Sequence, residues 1–314
     1  MKTILITAIG SDIAQSIAII IRKTFPDWKI LGCDVNTRHG GSLVVDSFFI
    51  APRADSGRLL DWLGSLIKEQ NIDYCIPVSE SELDFLCKSN VSTIGQTQLI
   101  MPNLQSIQVG LDKFVTNSFL KSIKIKVPWT IPSESSNAIN SFPCIYKYRR
   151  GAGSKIVFEC NSEEEAEFFR KKYVNGIFQE LLLPKDREVT CSVYRNKDGQ
   201  IRILQLLREL FGGFTGWAEV IYDPIVEEQC RILAEELELI GSINVQLRIT
   251  EDGPRIFEIN PRFSSTVLMR HLMGFRDVIW SIQDKMEIES DFILPKLGTI
   301  AVRIQGANLM IPRK

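Results

Sequence analysis

The chain has little of what builds metal centres. Its 314 residues include two histidines, His39 and His271, and seven cysteines that never form a C-x-x-C pair. That argues against a zinc site, which needs clustered thiolates and imidazoles. An odd number of cysteines without framework spacing reads as reduced, mostly buried thiols of a cytoplasmic protein. Long apolar runs are missing too. The most apolar stretch, Ile13 to Ile21, is broken by Gln15 and Ser16 and ends at Arg22-Lys23. A bilayer span needs ~20 apolar residues. The opening MKTILITAIGSD reaches Asp12 too soon for a signal peptide. There is no charge excess: 37 Lys plus Arg against 38 Asp plus Glu leave a formal net charge of −1. A dedicated nucleic-acid binder needs a basic surplus to neutralise phosphates. Neither nucleic acid nor membrane is therefore expected as a partner.

What is present is an ordinary globular composition, 45% apolar and 24% charged. At roughly 150 residues per domain, the length suggests two domains or three small ones. Residues 2–9 form an apolar run ending before Gly10. Ile13, Ala14, Ile17, Ala18 and Ile21 then fall on one helical face. Short strands are expected at 29–35, 48–51 and 74–78, with a helix over 59–68. Strands alternating with helices predict a parallel, doubly wound sheet over residues 1 to about 105.

After Pro102 the texture changes. Asp112 reads as the N-cap of a helix over 113–122, and Pro128, Pro132 and Pro143 punctuate an extended region. Strands follow at 145–148 and 155–159. Ser162 with Glu165 fits a capping box opening a helix over 163–173. Strand-rich stretches at 188–194 and 200–207 precede an amphipathic helix over 227–239. A last strand pair, 242–249 and 255–259, surrounds Glu251-Asp252-Gly253.

Three places could carry chemistry. The loop Ile9-Gly10-Ser11-Asp12 with Asp34 mimics a dinucleotide-binding turn, but only one of three fingerprint glycines is present. A structural turn is the better reading. Lys147, followed by Arg149-Arg150-Gly151-Ala152-Gly153-Ser154, suits a polyphosphate. The lysine is a point charge, and the glycines let backbone N–H groups approach oxygens. A basic surface hairpin explains the same residues equally well.

The sharpest candidate is the last hairpin. A three-residue loop of Glu251-Asp252-Gly253 pairs Thr250 with Pro254, so Gln246 faces Glu258 and Asn244 faces Asn260. A two-residue loop breaks this match. Four oxygen-bearing side chains then share one face, with Val245, Leu247, Phe257 and Ile259 on the other. Such ligands suit Mg²⁺, and Arg262 just beyond could clamp a phosphoryl group.

The order of Asp112-Lys113, Lys147 with its glycine loop, Gln179-Glu180-Leu181-Leu182, Glu188, Gln246 and Glu258-Ile259-Asn260-Pro261-Arg262 resembles the ATP-grasp superfamily. Within it, the ATP-binding module of carbamoyl-phosphate synthase large chains is most similar, above all along Asn260-Pro261-Arg262-Phe263-Ser264-Ser265. The resemblance covers nearly the whole chain. It implies an α/β and α+β architecture: a doubly wound pre-ATP-grasp domain (1–105), a small lid domain (106–178) and a core domain (179–314).

It also implies roles. Lys147 would hold α- and β-phosphate oxygens, with Lys113 near the phosphates. Gly151, Gly153 and Ser154 would belong to a mobile lid. The backbone of Glu180, Leu181 and Leu182 would meet adenine, with the Glu180 side chain near its amino group, and Glu188 would bind the ribose. Glu258 would bridge two Mg²⁺ ions (Mn²⁺ being an alternative), with Gln246 and Asn260 as further ligands. Arg262 and Lys147 would stabilise the transferring phosphoryl group. The implied activity is an ATP- and Mg²⁺-dependent ligase that joins a small-molecule carboxylate to an amine or thiol through an acyl phosphate. The alternatives are an ATP-binding subunit of a larger or split synthetase and, on the N-terminal fold alone, a nicotinamide-dependent oxidoreductase. A homodimer or a partner subunit is compatible with either nucleotide reading. The chain is too short for a complete carbamoyl-phosphate synthase, which has two such modules, so carbamoyl phosphate synthesis itself is not expected. Arg208, Glu209 and the segment 212–217, with Trp217, lie where substrate contacts are expected.

Overall fold

The computed structural model describes residues 1–135, 137–151 and 156–304. Three sheets organise them. In the first, strands Ser47–Ile50, Lys29–Asp34, Thr3–Ile6, Tyr74–Ile76, Thr97–Leu99 and Thr93–Ile94 lie side by side in that order. All neighbours are parallel except the final pair. The alternation along Ile4, Leu5 and Ile6 shows why the sheet is covered on both faces. Ile4 and Ile6 pack with Ala14, Ile17 and Ile21 of helix Asp12–Thr24, whereas Leu5 packs with Leu59, Leu63 and Ile67 of helix Leu59–Gln70. This is the doubly wound arrangement expected from the pattern. Its first face is completed from far along the chain, by Phe263, Val267, Val278, Ile279 and Ile282.

The second sheet is antiparallel, ordered Thr130–Pro132, Gly176–Glu180, Cys144–Tyr148 and Val157–Cys160. Helix Glu163–Lys172 packs on it through Ala166 and Phe169. The capping box is only half formed. Ser162 accepts from the N–H of Glu165, but the Glu165 carboxylate reaches back to the N–H of Asn161 instead of Ser162. Strand Gly176–Glu180 has no counterpart in the sequence reading. Its centre is fully buried, so alternation is absent there.

The third sheet is also antiparallel, ordered Gly253–Asn260, Gly241–Thr250, Glu188–Arg195, Ile201–Phe211, Phe214–Ile221 and Ile300–Val302. One face packs Val189, Val245, Leu247, Ile256 and Ile259 against Val226, Cys230 and Leu233 of helix Pro224–Glu236. The other face carries the polar residues considered below. Segment 212–217 turns at Gly212-Gly213 and continues as strand from Phe214. All seven cysteines are unpaired and buried. Among the described residues, no helix is long and apolar enough to cross a membrane.

Candidate active site

The last hairpin reaches the expected pairing by an unexpected route. Its turn is the two-residue kind: Thr250 pairs with Gly253 and Ile249 with Pro254. Carried on unbroken, that register places Glu258 on the wrong face. The ladder instead shifts between Gln246 and Leu247. Leu247 pairs with Ile256, Gln246 with Glu258, and Asn244 with Asn260. Phe257 is the extra residue, a β-bulge of the sort that re-aims side chains beside functional sites. Phe257 therefore does not join the apolar face as expected; Ile256 does, and the Phe257 ring lies 5.2 Å from Lys147 Nζ.

Glu258 sits between two lysines from two further elements. Lys113 is the first residue of helix Lys113–Ser122, whose N-cap Asp112 accepts from the N–H groups of Phe114 and Val115. Lys147 lies in strand Cys144–Tyr148. Lys113 Nζ is 3.7 Å from one Glu258 oxygen, and Lys147 Nζ is 3.8 Å from the other. Burial opposes the charge on Glu258. Lys113, Lys147, Arg262 and Arg208 outweigh it and hold the carboxyl below its ordinary range. Burial brings Lys147 down to about 8, with Lys113 and Arg248 adding repulsion and Glu258 and Glu188 opposing it.

These residues line a cleft of about 440 Å³, together with Gly151, Arg208, Gln246, Asn260 and Arg262. That volume is in the range of small-molecule sites. Asn244 is fully buried beneath it. Its Oδ1 accepts from Thr190 Oγ1, and its amide nitrogen has no partner among the described residues. Three of the four expected oxygen ligands thus reach the cleft. A carboxylate and two amide oxygens suit a hard cation, and with one carboxylate the set would need further oxygens from a bound anion or water. Among the described residues there is no cluster of three or more His, Cys, Asp or Glu that could hold a metal without such help.

The other sequence candidates fall as follows. Gly151 has a left-handed backbone (φ 109°), and its carbonyl accepts from Lys113 Nζ at 3.0 Å. Gly153 and Ser154, with Ala152 and Lys155, lie outside the described residues. Arg149 and Arg150 are not free cations of a lid: both donate to Asp112, and Arg150 also to Asp84. Glu180 ends strand Gly176–Glu180, but its side chain points into structure. It accepts from the N–H of Trp129 and from Arg255 at 2.7 Å. Leu181 and Leu182 follow that strand directly, and the Leu182 carbonyl accepts from Arg248. Glu188 is clasped by Arg208 at 2.6 Å and Arg248 at 2.5 Å. None of these four lines the cleft. Asp34, the dinucleotide-like acid, is consumed by the N–H groups of Gly10 and Asn36.

Arg262 is the junction residue. It donates to Asn260 Oδ1 at 3.2 Å, to the Phe263 carbonyl at 3.1 Å and to Glu80 Oε1 at 2.8 Å. Glu80 is a site neighbour that sequence reasoning missed. Ser79 to Glu82 reads as a helix start, but nothing in the pattern says which distant residue that helix meets. Asp12, Ser264 and Ser265, singled out in the sequence but given no role at this site, also line the cleft.

A doubly wound sheet, a second antiparallel sheet and a third bearing an oxygen-rich face over two lysines define a grasp-like architecture. Residues 111–266 match the family model of an ATP-grasp domain, and the chain has an ATP-grasp fold. Solved structures share its fold. One is N5-carboxyaminoimidazole synthetase from Staphylococcus aureus complexed with ADP (21% identity, TM-score 0.73, 96% of this chain and 80% of that one). Another is the biotin carboxylase domain of Hydrogenobacter thermophilus 2-oxoglutarate carboxylase, in complex with MgADP, ADP and bicarbonate (13%, 0.73, 95% and 73%). A third is L-amino acid ligase from Bacillus licheniformis (14%, 0.69, 90% and 74%).

Proposed function

We propose that the chain is an ADP-forming, ATP- and Mg²⁺-dependent ligase that activates a small-molecule carboxylate for attack by an amine or thiol. The observation that carries this reading is Glu258, mostly buried yet ionised between Lys113 and Lys147, with Gln246 and Asn260 beside it in one cleft. Two buried lysines over a lone carboxylate are a pre-built cradle for a polyphosphate and its counter-ion. ADP and MgADP in the structural relatives support the same ligand class.

A carboxylate is a poor electrophile at neutral pH. Attack of its oxygen on the γ-phosphorus breaks the bridging P–O bond, releases ADP and leaves an acyl phosphate. The amine then attacks the acyl carbon, the C–O bond to phosphate breaks, phosphate departs with the amine's proton, and an amide remains. Mg²⁺, when bound, neutralises charge on the β- and γ-phosphates. Gln246, Glu258 and Asn260 would hold it. Lys147 and Lys113 bind and orient phosphate oxygens, and Arg262 stabilises charge on the transferring phosphoryl group. We assign the acceptor side to residues 1–105 and the nucleotide to the junction of 106–178 with 179–314. Leu181, Leu182 and Glu188 would contact adenine and ribose once Glu188 trades an arginine for the sugar hydroxyls. Seven buried free thiols support a reducing, cytoplasmic setting.

The test is ADP and phosphate release from MgATP across pools of carboxylates and amines, with Glu258→Ala alongside. Release that needs both substrates and vanishes in the variant is expected. Nucleotide binding with no release in any pool turns the assignment to an ATP-binding subunit of a larger synthetase. No nucleotide binding at all overturns both.

A further inference from the structure

Two arginines from different walls of the cleft reach one helix of the first sheet's unit. Arg262 follows the third sheet's edge strand and donates to Glu80 Oε1 at 2.8 Å. Arg150 follows a strand of the second sheet and donates to Asp84 Oδ1 at 3.2 Å. Glu80 and Asp84 are four residues apart on helix Glu80–Lys88, hence on one face. The helix start is rigid. Ser79 and Glu82 form a full capping box, and Glu82 also accepts from Thr7 Oγ1 at 2.6 Å, tying the turn to the first sheet. The Arg262 and Glu80 side chains are only 13% and 16% exposed, so solvent screens their attraction weakly.

Arg262 stands between two carboxylates. Glu80 holds it directly, and its charge also acts on Glu258, the carboxylate of the oxygen-rich face. Without Glu80, Glu258 is a carboxylate of the same cleft that can draw the guanidinium. A contact there takes the guanidinium from the phosphoryl position. We propose that Glu80 is a positioning residue: it holds Arg262 off Glu258 and aimed at the transferring phosphoryl group, making the first sheet's unit part of the reaction centre. This rests on the phosphoryl-transfer reading above.

A fluorescent ADP analogue with Mg²⁺, titrated into the full chain with and without aluminium fluoride, reports on this directly. Aluminium fluoride mimics the group in flight, and a positioned guanidinium should tighten binding by about tenfold or more. Glu80→Gln and Glu80→Ala are expected to bind MgADP within about twofold of wild type but to lose the tightening. Glu80→Asp should recover part of it. Asp84→Asn, which loosens the same helix without touching Arg262, should keep it. Tightening retained in either folded Glu80 variant, while Arg262→Ala loses it, overturns the role of Glu80 and leaves the parent reading standing. Loss in Asp84→Asn as well makes helix docking, not Glu80, the determinant. Tightening retained in Arg262→Ala, or absent from wild type, removes the phosphoryl role of Arg262 and that of Glu80 with it.

Discussion

Gln246 lies directly across the ladder from Glu258 because Phe257 is bulged out of register between them and the turn. A tight two-residue turn and an oxygen-rich face are incompatible in a regular hairpin, since a one-residue slip reverses every side chain. The bulge reconciles them, and it leaves the Phe257 ring beside Lys147.

Removing that ring should weaken nucleotide binding without unfolding the sheet. A cation over an aromatic face contributes about 0.5–2 kcal/mol. Phe257→Leu is therefore expected to reduce MgADP affinity by about two- to thirtyfold. Isothermal titration at fixed pH measures it. Unchanged affinity would show that the bulge serves register alone.

Lys147 predicts a pH dependence with a definite sign. Its folded value of about 8 lies below the ordinary 10.5, so the folded chain releases this proton first. Stability from this group is lowest below pH 8 and rises between about 8 and 10.5, because there the unfolded chain binds more protons. Phosphate binding needs the charged form, so nucleotide affinity should fall as pH rises through about 8. Glu258 works at the other end: its lowered value stabilises the fold above 4.5, and that stability is lost as pH falls through the folded value. Unfolding and MgADP titrations from pH 6 to 10, compared with Lys147→Met, test the alkaline limb. The variant should lose both trends.

Arg270 and Asp277 form a buried ion pair at 2.6 Å, each at most 1% exposed, and Ser192, Ser264 and Ser242 complete their hydrogen bonds. Truncating one partner strands a charge in the interior. Arg270→Met should cost about 3–5 kcal/mol in urea unfolding, and adding Asp277→Leu should recover part of that loss. A double variant worse than the single would contradict the account.

Two glycines in helices should respond oppositely to the same change. A Cβ at Gly64 meets nothing within 4 Å, so Gly64→Ala should gain about 0.5–1 kcal/mol from helix propensity. A Cβ at Gly110 lies 2.8 Å from the Pro261 ring, directly before Arg262. Gly110→Ala should cost about 1–3 kcal/mol and lower MgADP affinity by displacing Asn260 and Arg262. Chemical denaturation and nucleotide titration of both variants decide it.

The classes of element and the chemistry of the site strand are legible in local patterning. Alternation along Ser242 to Ile249 and Phe257 to Asn260 marks a two-faced ladder. The cap at Asp112 marks where Lys113 begins its helix, and apolar spacing over 13–21 marks a buried helix. These are local properties, set by backbone geometry within a few residues. The rest follows from packing between distant segments. The bulge at Phe257 cannot be seen in a pattern that a three-residue turn satisfies equally well. Glu180 and Glu188 read as ligand-facing acids, yet Arg255, Arg208 and Arg248 claim them, from up to 75 residues away in sequence. Glu80 meets Arg262 across 182 residues. Such pairings depend on how three sheets dock, and side-chain spacing along one strand or helix carries no record of what lies opposite it.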